Sequence, residues 1–172
     1  MPAKVSMDVD EYLHTGFDGP VCEYLDGEVI ERNIGEKPHG RVQTRFGFLL
    51  MQLEERLGIE AVTEIRVQIN PRRYRVADVA VWRKGESGGR IPKAPPFLVI
   101  EIWSPEDRMT RMQPKIQEYL AIGVEWIWLV DPDERKAICY SQQNPAGALS
   151  DLLRTTNPDI EISLDSVLEA LN

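Results

Sequence analysis

Two nearly continuous apolar runs, FLVIEIW at Phe97–Trp103 and WIWLV at Trp126–Val130, bracket an amphipathic stretch from Met112 to Ile122. Runs without polar alternation suit strands that are buried on both faces. A helical crossover between two such strands makes them parallel neighbours, because a parallel pair cannot be joined by a tight turn. The rest of the chain has to be arranged around this βαβ unit. Upstream, Glu60–Ile69 and Tyr74–Trp82 alternate with period two and predict two further strands, joined antiparallel through Asn70-Pro71. Apolar residues at helical spacing predict a helix from Gly40 to Leu57, closed by Gly58.

The remaining signals are local. Asp26-Gly27 inside VCEYLDGEVIERN predicts a type I′ hairpin, since both central positions of that turn need positive φ. Met7–Thr15 reads as a short helix capped by Ser6 or Asp8, Lys136–Ser141 as a strand, and SLDSVLEAL as a closing helix capped by Ser163 or Asp165. KGESGGRIPKAP and QQNPAGALS read as loops. The fold expected is α/β (α+β), a mixed sheet flanked by helices. It forms one domain over residues 1–172, with a core at 7–141 and a C-terminal extension at 142–172.

Within this pattern two acids are out of place. Glu101 sits in the middle of FLVIEIW, and Asp78 sits among valines and alanines in YRVADVAVW. A lone ionised carboxylate in an apolar strand costs several kcal/mol unless it is paired or coordinates a metal. Either acid alone could pair with an arginine, Asp78 with Arg75 or Arg66. Two such acids on neighbouring strands point to a shared hard cation, Mg²⁺ or Mn²⁺, with the backbone carbonyl of Ile102 as a further oxygen. Lys115 and Tyr119 share one face of the following helix, so the lysine can point back at the carboxylates.

Charge sets a limit on partners. The net charge of -8 is unlike that of a nucleic-acid binder with a broad basic face, so any such face is local. Its candidates are Arg66, Arg72, Arg73, Arg75, Arg83, Lys84 and Arg90, which could equally be solvated edges and loops. Cys22 and Cys139 read as two reduced thiols, and His14 and His39 are too scattered for a zinc site. No apolar run reaches the roughly 20 residues that span a bilayer, and the N-terminal residues lack a signal-peptide core, so a cytoplasmic location is expected.

The ordered succession CEYLDGEVIE, His39 opening a helix, ADVAVW, LVIEIWSPEDR, KIQEY and GVEWIWLVDP resembles the Uma-type restriction-endonuclease family. That bacterial group falls within the PD-(D/E)xK nuclease-like superfamily, and the resemblance runs from about Met7 to Asp133. It implies a restriction-endonuclease-like fold and metal-dependent hydrolysis of phosphodiester bonds in DNA. Asp78 would be the first acid, Glu101 the second, and Lys115 the lysine placed on the helix. Glu28 or Glu31 would be the additional N-terminal acid; strand parity puts those two on opposite faces, so only one should reach the site.

Four positions depart from the pattern. Ala77 stands for the proline, Trp103 holds the position of the strand lysine, Arg111 replaces a frequent aspartate, and Pro114 precedes Lys115. The alternative is therefore a nuclease-like fold that binds or regulates without catalysis. A third reading, action on small phosphorylated substrates, lacks a glycine-rich loop opening a helix. A homodimer is expected for a nuclease that cuts both strands of a duplex, with Trp126, Trp128 and Tyr140 as candidate interface residues.

Overall fold

The βαβ unit forms as its apolar runs dictate. β6 (Leu98–Ile102) and β7 (Trp126–Asp131) pair in parallel, with Glu101 beside Leu129, and α4 (Met109–Ala121) links them in sequence. The computed structural model describes residues 4–18, 21–32, 35–104 and 109–172, so Pro105–Arg108 of the LVIEIWSPEDR motif lie outside the described residues. Before this unit come β1 (Lys4–Ser6), α1 (Val9–His14), β2 (Cys22–Leu25), β3 (Glu28–Glu31), α2 (Lys37–Met51), α3 (Glu54–Leu57), β4 (Ile59–Asn70) and β5 (Arg73–Arg83). After it come β8 (Lys136–Ser141), β9 (Ala148–Leu149), β10 (Leu152–Arg154), β11 (Glu161–Ser163), α5 (Leu164–Leu168) and a 3₁₀ turn at Glu169–Leu171.

Strands β1 to β9 join in one mixed sheet, antiparallel except for β6 and β7. Helices cover its two faces. Val42, Phe46 and Leu50 of α2 pack with Val79, Val81, Leu98, Ile100 and Ile102 in one core. Met112, Ile116, Tyr119 and Leu120 of α4 pack with Ala77, Ala80, Trp82 and Val99 in another. Each set follows the helical i, i+4 stripe. The hairpin between β2 and β3 turns at Asp26 and Gly27, whose φ angles of 55° and 102° are those a type I′ turn demands. Among the described residues no helix is long and apolar enough to cross a membrane.

What positions the site is a split in the sheet at β5. Along one edge β4 pairs with it from Ile59↔Arg83 to Asn70↔Arg73. On the other edge, the ladder to β2 covers only Arg73 and Tyr74, and that to β6 only Val79–Val81. Arg75, Val76, Ala77 and Asp78 therefore face the gap between two branches. Backbone groups in a buried gap still need partners, and side chains supply them: Glu23 Oε1 accepts from Val76 N at 3.1 Å, and Lys115 Nζ donates to Val76 O at 2.8 Å. Side-chain alternation also breaks here. Ala77 and Ala80 pack in the α4 layer while Val79 and Val81 pack in the α2 layer. Opposite Asp78, Glu64 of β4 has φ 52°, a backbone state uncommon for any residue but glycine. The irregularity swings Asp78 out of its expected alternation.

Several expectations are corrected. The helix expected at Gly40–Leu57 begins at Lys37 and breaks near Gln52 into α2 and α3. The C-terminal segment is no simple extension: β9 adds to the sheet, β10 pairs with β11, and Leu153, Ile160, Ile162, Leu164 and Val167 complete the α2-side core. The closing helix forms as α5 with Ser163 as its cap, and it packs against α2. The amphipathic stretch expected from Met112 begins at Met109, which puts Pro114 inside α4. Trp128 and Tyr140 are buried at 0% and 3% exposure, so they serve the core and cannot form an interface.

Candidate active site

Asp78 is 1% exposed and ringed by donors from four directions. Its Oδ2 accepts from Ile102 N at 2.7 Å, so the carboxylate takes the place of a strand carbonyl where β5 and β6 part. His39 Nε2 lies 3.3 Å from the same oxygen. Arg32 Nη2 donates to Oδ1 at 2.5 Å, and Gln43 Nε2 bridges the Asp78 carbonyl (3.0 Å) and Glu64 Oε1 (2.9 Å). Burial alone would favour the neutral acid, but the His39 hydrogen bond and the charges of Arg32 and Lys115 outweigh it and hold Asp78 well below the usual carboxylate range. For His39 burial works against protonation, yet Asp78 raises its pKa above the ordinary value.

Glu101, also 1% exposed, faces α4. Lys115 Nζ donates to its Oε2 at 2.8 Å and Tyr119 Oη to its Oε1 at 2.9 Å. The four-residue spacing of Lys115 and Tyr119 thus clamps both oxygens of one carboxylate. Desolvation dominates, Lys115 opposes it, Asp78 adds repulsion, and the pKa of Glu101 is pushed up to about 7. Tyr119 is raised well above its ordinary value by burial and by the Glu101 charge.

The N-terminal acid that the structure brings against Lys115 is Glu23 of β2. Glu23 is 8% exposed, accepts from Arg75 Nη1 at 2.7 Å, and sits 3.3 Å from Lys115 Nζ. Burial opposes its ionisation, but Lys115 and Arg75 win and hold it at about 2. Glu28 is half-buried on β3 and pairs in register with Leu25, while Glu31 is exposed and pairs with Cys22. The signal was present: Glu23 lies in a strand whose neighbours Cys22 and Tyr24 are also buried, the same misfit that marks Asp78 and Glu101. His39 stands in the ordered motifs of the resemblance without an assigned role, while Arg32, Gln43 and Glu64 carry no comparable sequence signal.

Glu23→Ala is expected to cost roughly 3 kcal/mol, because two buried cations lose a shared anion. Glu31→Ala should stay within about 0.5 kcal/mol of wild type. Urea denaturation reads both; similar values for the two would contradict the assignment of Glu23 to the site.

Four cations of the basic stretch are engaged within the chain. Arg73 pairs with Asp26 and Glu118, Arg75 with Glu23 and Glu118, Arg83 with Glu125, and Arg66 lies over the Tyr12 ring. Glu118 of α4 thereby ties the lysine-bearing helix to β5, with Arg75 Nε at 2.6 Å.

The donor chemistry at Asp78 and Glu101 fits Mg²⁺. Among the described residues no three His, Cys, Asp or Glu side chains converge as a metal cage. Mg²⁺ needs none, since it usually keeps several waters and is held by one or two carboxylates plus substrate phosphate. A carboxylate has about four lone-pair sites. The contacts above take three on Asp78 and two on Glu101, so ligand capacity remains on both.

A crystal structure described as a putative nuclease belonging to DUF820 from Anabaena variabilis ATCC 29413 has the same fold, with a TM-score of 0.84. The likeness covers 96% of this chain and 99% of that one at 21% identity. A search of curated proteins finds no match. The family model Uma2, described as "Putative restriction endonuclease", matches residues 9–172, and the chain belongs to that family.

Proposed function

We propose that the protein is a nuclease that hydrolyses phosphodiester bonds in DNA and depends on Mg²⁺ or Mn²⁺ held by Asp78 and Glu101, with the Ile102 carbonyl as a third oxygen. The observation that carries this reading is the convergence of two buried carboxylates and a buried lysine at the split in the sheet. A cation bound there supplies Lewis-acid polarisation of the phosphate and a bound water of lowered pKa. The protein's own groups do the positioning. Tyr119 fixes one oxygen of Glu101, Glu23 and the Val76 carbonyl fix the direction of Lys115, and Lys115 can neutralise charge developing on the phosphate. A homodimer would bring two such sites to the two strands of a duplex.

A second reading, a nuclease fold that binds without cutting, is favoured by one observation: the cations nearest the site are already paired with acids. Nicking of supercoiled plasmid in Mg²⁺ or Mn²⁺ separates the two. The expected result is chelator-sensitive nicking that falls about 10²- to 10³-fold in Asp78→Ala. Equal nicking by wild type and Asp78→Ala would sink the mechanism, and no nicking by wild type would favour the binding module.

A further inference from the structure

Arg32, the residue that follows β3, enters the site from a chain segment that neither the apolar runs nor the acid pattern marks out. Its side chain is 19% exposed and lies between two acids, Asp78 of β5 and Glu64 of β4. Nη2 meets Asp78 Oδ1 at 2.5 Å, and Nη1 stands 3.4 Å from Glu64 Oε2. Glu101 also acts on it electrostatically. Glu64 itself is tethered by Gln43 and has a positive φ. The guanidinium is thus the counter-charge of the very carboxylate oxygen that a divalent cation would use.

We infer that Arg32 competes with the metal for Asp78: a cation bound at this aspartate displaces the guanidinium, and Glu64 receives it. This rests on the reading of Asp78 and Glu101 as metal ligands. Two positive charges on one buried carboxylate oxygen repel strongly, because the protein interior screens them poorly. Asp78 Oδ2 offers no relief, since it already accepts from Ile102 N and His39. Glu64 is the acceptor within reach, more exposed than Asp78 at 39% and already partly engaged with Nη1. The displaced fork would then stand at the rim of the site with donors free for a phosphate, the geometry arginine recognises best.

The test is calorimetric titration of Mn²⁺ into the purified protein, a binding readout that needs no cleavage. Arg32→Gln is expected to bind Mn²⁺ about tenfold or more tightly than wild type, a change of about 1.4 kcal/mol per decade. Glu64→Gln should bind more weakly than wild type, and Arg32→Gln/Glu64→Gln should match Arg32→Gln alone, since Glu64 then has no guanidinium to receive. The exposed position of Glu64 keeps its single variant folded and gives an arm that does not need Arg32→Gln: binding by Glu64→Gln equal to or tighter than wild type also overturns the inference. Equal or weaker binding by Arg32→Gln overturns the inference while leaving the metal site standing. A double variant weaker than Arg32→Gln also overturns it, because Glu64 would then be a ligand. Wild type and Arg32→Gln both folded and both silent to millimolar Mn²⁺ would instead overturn the metal reading beneath it.

Discussion

Lys115→Ala is expected to lower the unfolding free energy by roughly 3–5 kcal/mol, on the order of 10 °C in melting temperature for a chain of this size. The side chain is 8% exposed and makes three polar contacts at once: Glu101 at 2.8 Å, the Val76 carbonyl at 2.8 Å and Glu23 at 3.3 Å. Its removal leaves two buried acids facing each other with their common cation gone. It also strips the Val76 carbonyl of its partner in the gap where no strand reaches it, an unmet buried acceptor costing about 1–3 kcal/mol by itself.

Lys115→Met separates charge from packing. Methionine keeps most of the aliphatic stem, so a loss nearly as large as that of alanine assigns the effect to charge. Lys136→Ala is the control, because that lysine is 58% exposed and its pair with Glu134 contributes little. Urea denaturation of the three variants decides the matter. A Lys115→Ala value within about 0.5 kcal/mol of wild type would mean that the cluster does not hold the fold.

Glu101→Gln should divide activity from stability. Plasmid nicking is expected to fall by about 10²- to 10³-fold, since an amide is a poor ligand for a hard cation and a poor counter-charge for Lys115. Stability should move the other way at alkaline pH. The folded pKa of Glu101, about 7, lies above the ordinary value of 4.5, so the folded state holds its proton more tightly than the unfolded chain. Stability in the wild type is therefore fully present below about 4.5 and falls as pH rises toward 7, by up to about 1.4 kcal/mol per pH unit.

Glutamine imitates the neutral acid and lacks this loss. In buffer with chelator, Glu101→Gln should melt at or above the wild-type temperature at pH 8, and the difference should vanish at pH 5. His39 works in the same direction, since its pKa is raised and its contribution is lost as pH rises. Some slope will therefore persist in the variant. Melting curves from pH 5 to 8 provide the check: a Glu101→Gln protein less stable than wild type at pH 8 would show that the ionised pair is itself stabilising.

Asp78 and Glu101 were legible because an acid inside an apolar strand violates the hydrophobic pattern, and the pattern is local. Lys115 was legible through the resemblance, and the structure shows that Pro114 inside α4 does not keep it from Glu101. Glu23 obeys the same rule as Asp78, whereas the resemblance points to Glu28 or Glu31 after the Asp26-Gly27 turn. Arg32 lies 46 residues from Asp78 in sequence, and nothing near either residue announces the contact.

The sequence by itself determined the elements: the βαβ unit, the I′ hairpin, the alternating strands and the misplaced acids all follow from periodicity and turn chemistry over a few residues. Only the tertiary structure decided which groups meet. β2 and β6 leave the same edge of β5 on either side of Arg75–Asp78, and the unpaired stretch between them draws in Glu23 of β2, His39 of α2, Lys115 of α4 and Arg32 just after β3. The reason is physical. Apolar period is fixed by neighbours along the chain, whereas the place where two strands part is fixed by packing across the whole sheet. There the buried backbone and carboxylates take whatever partners the fold delivers.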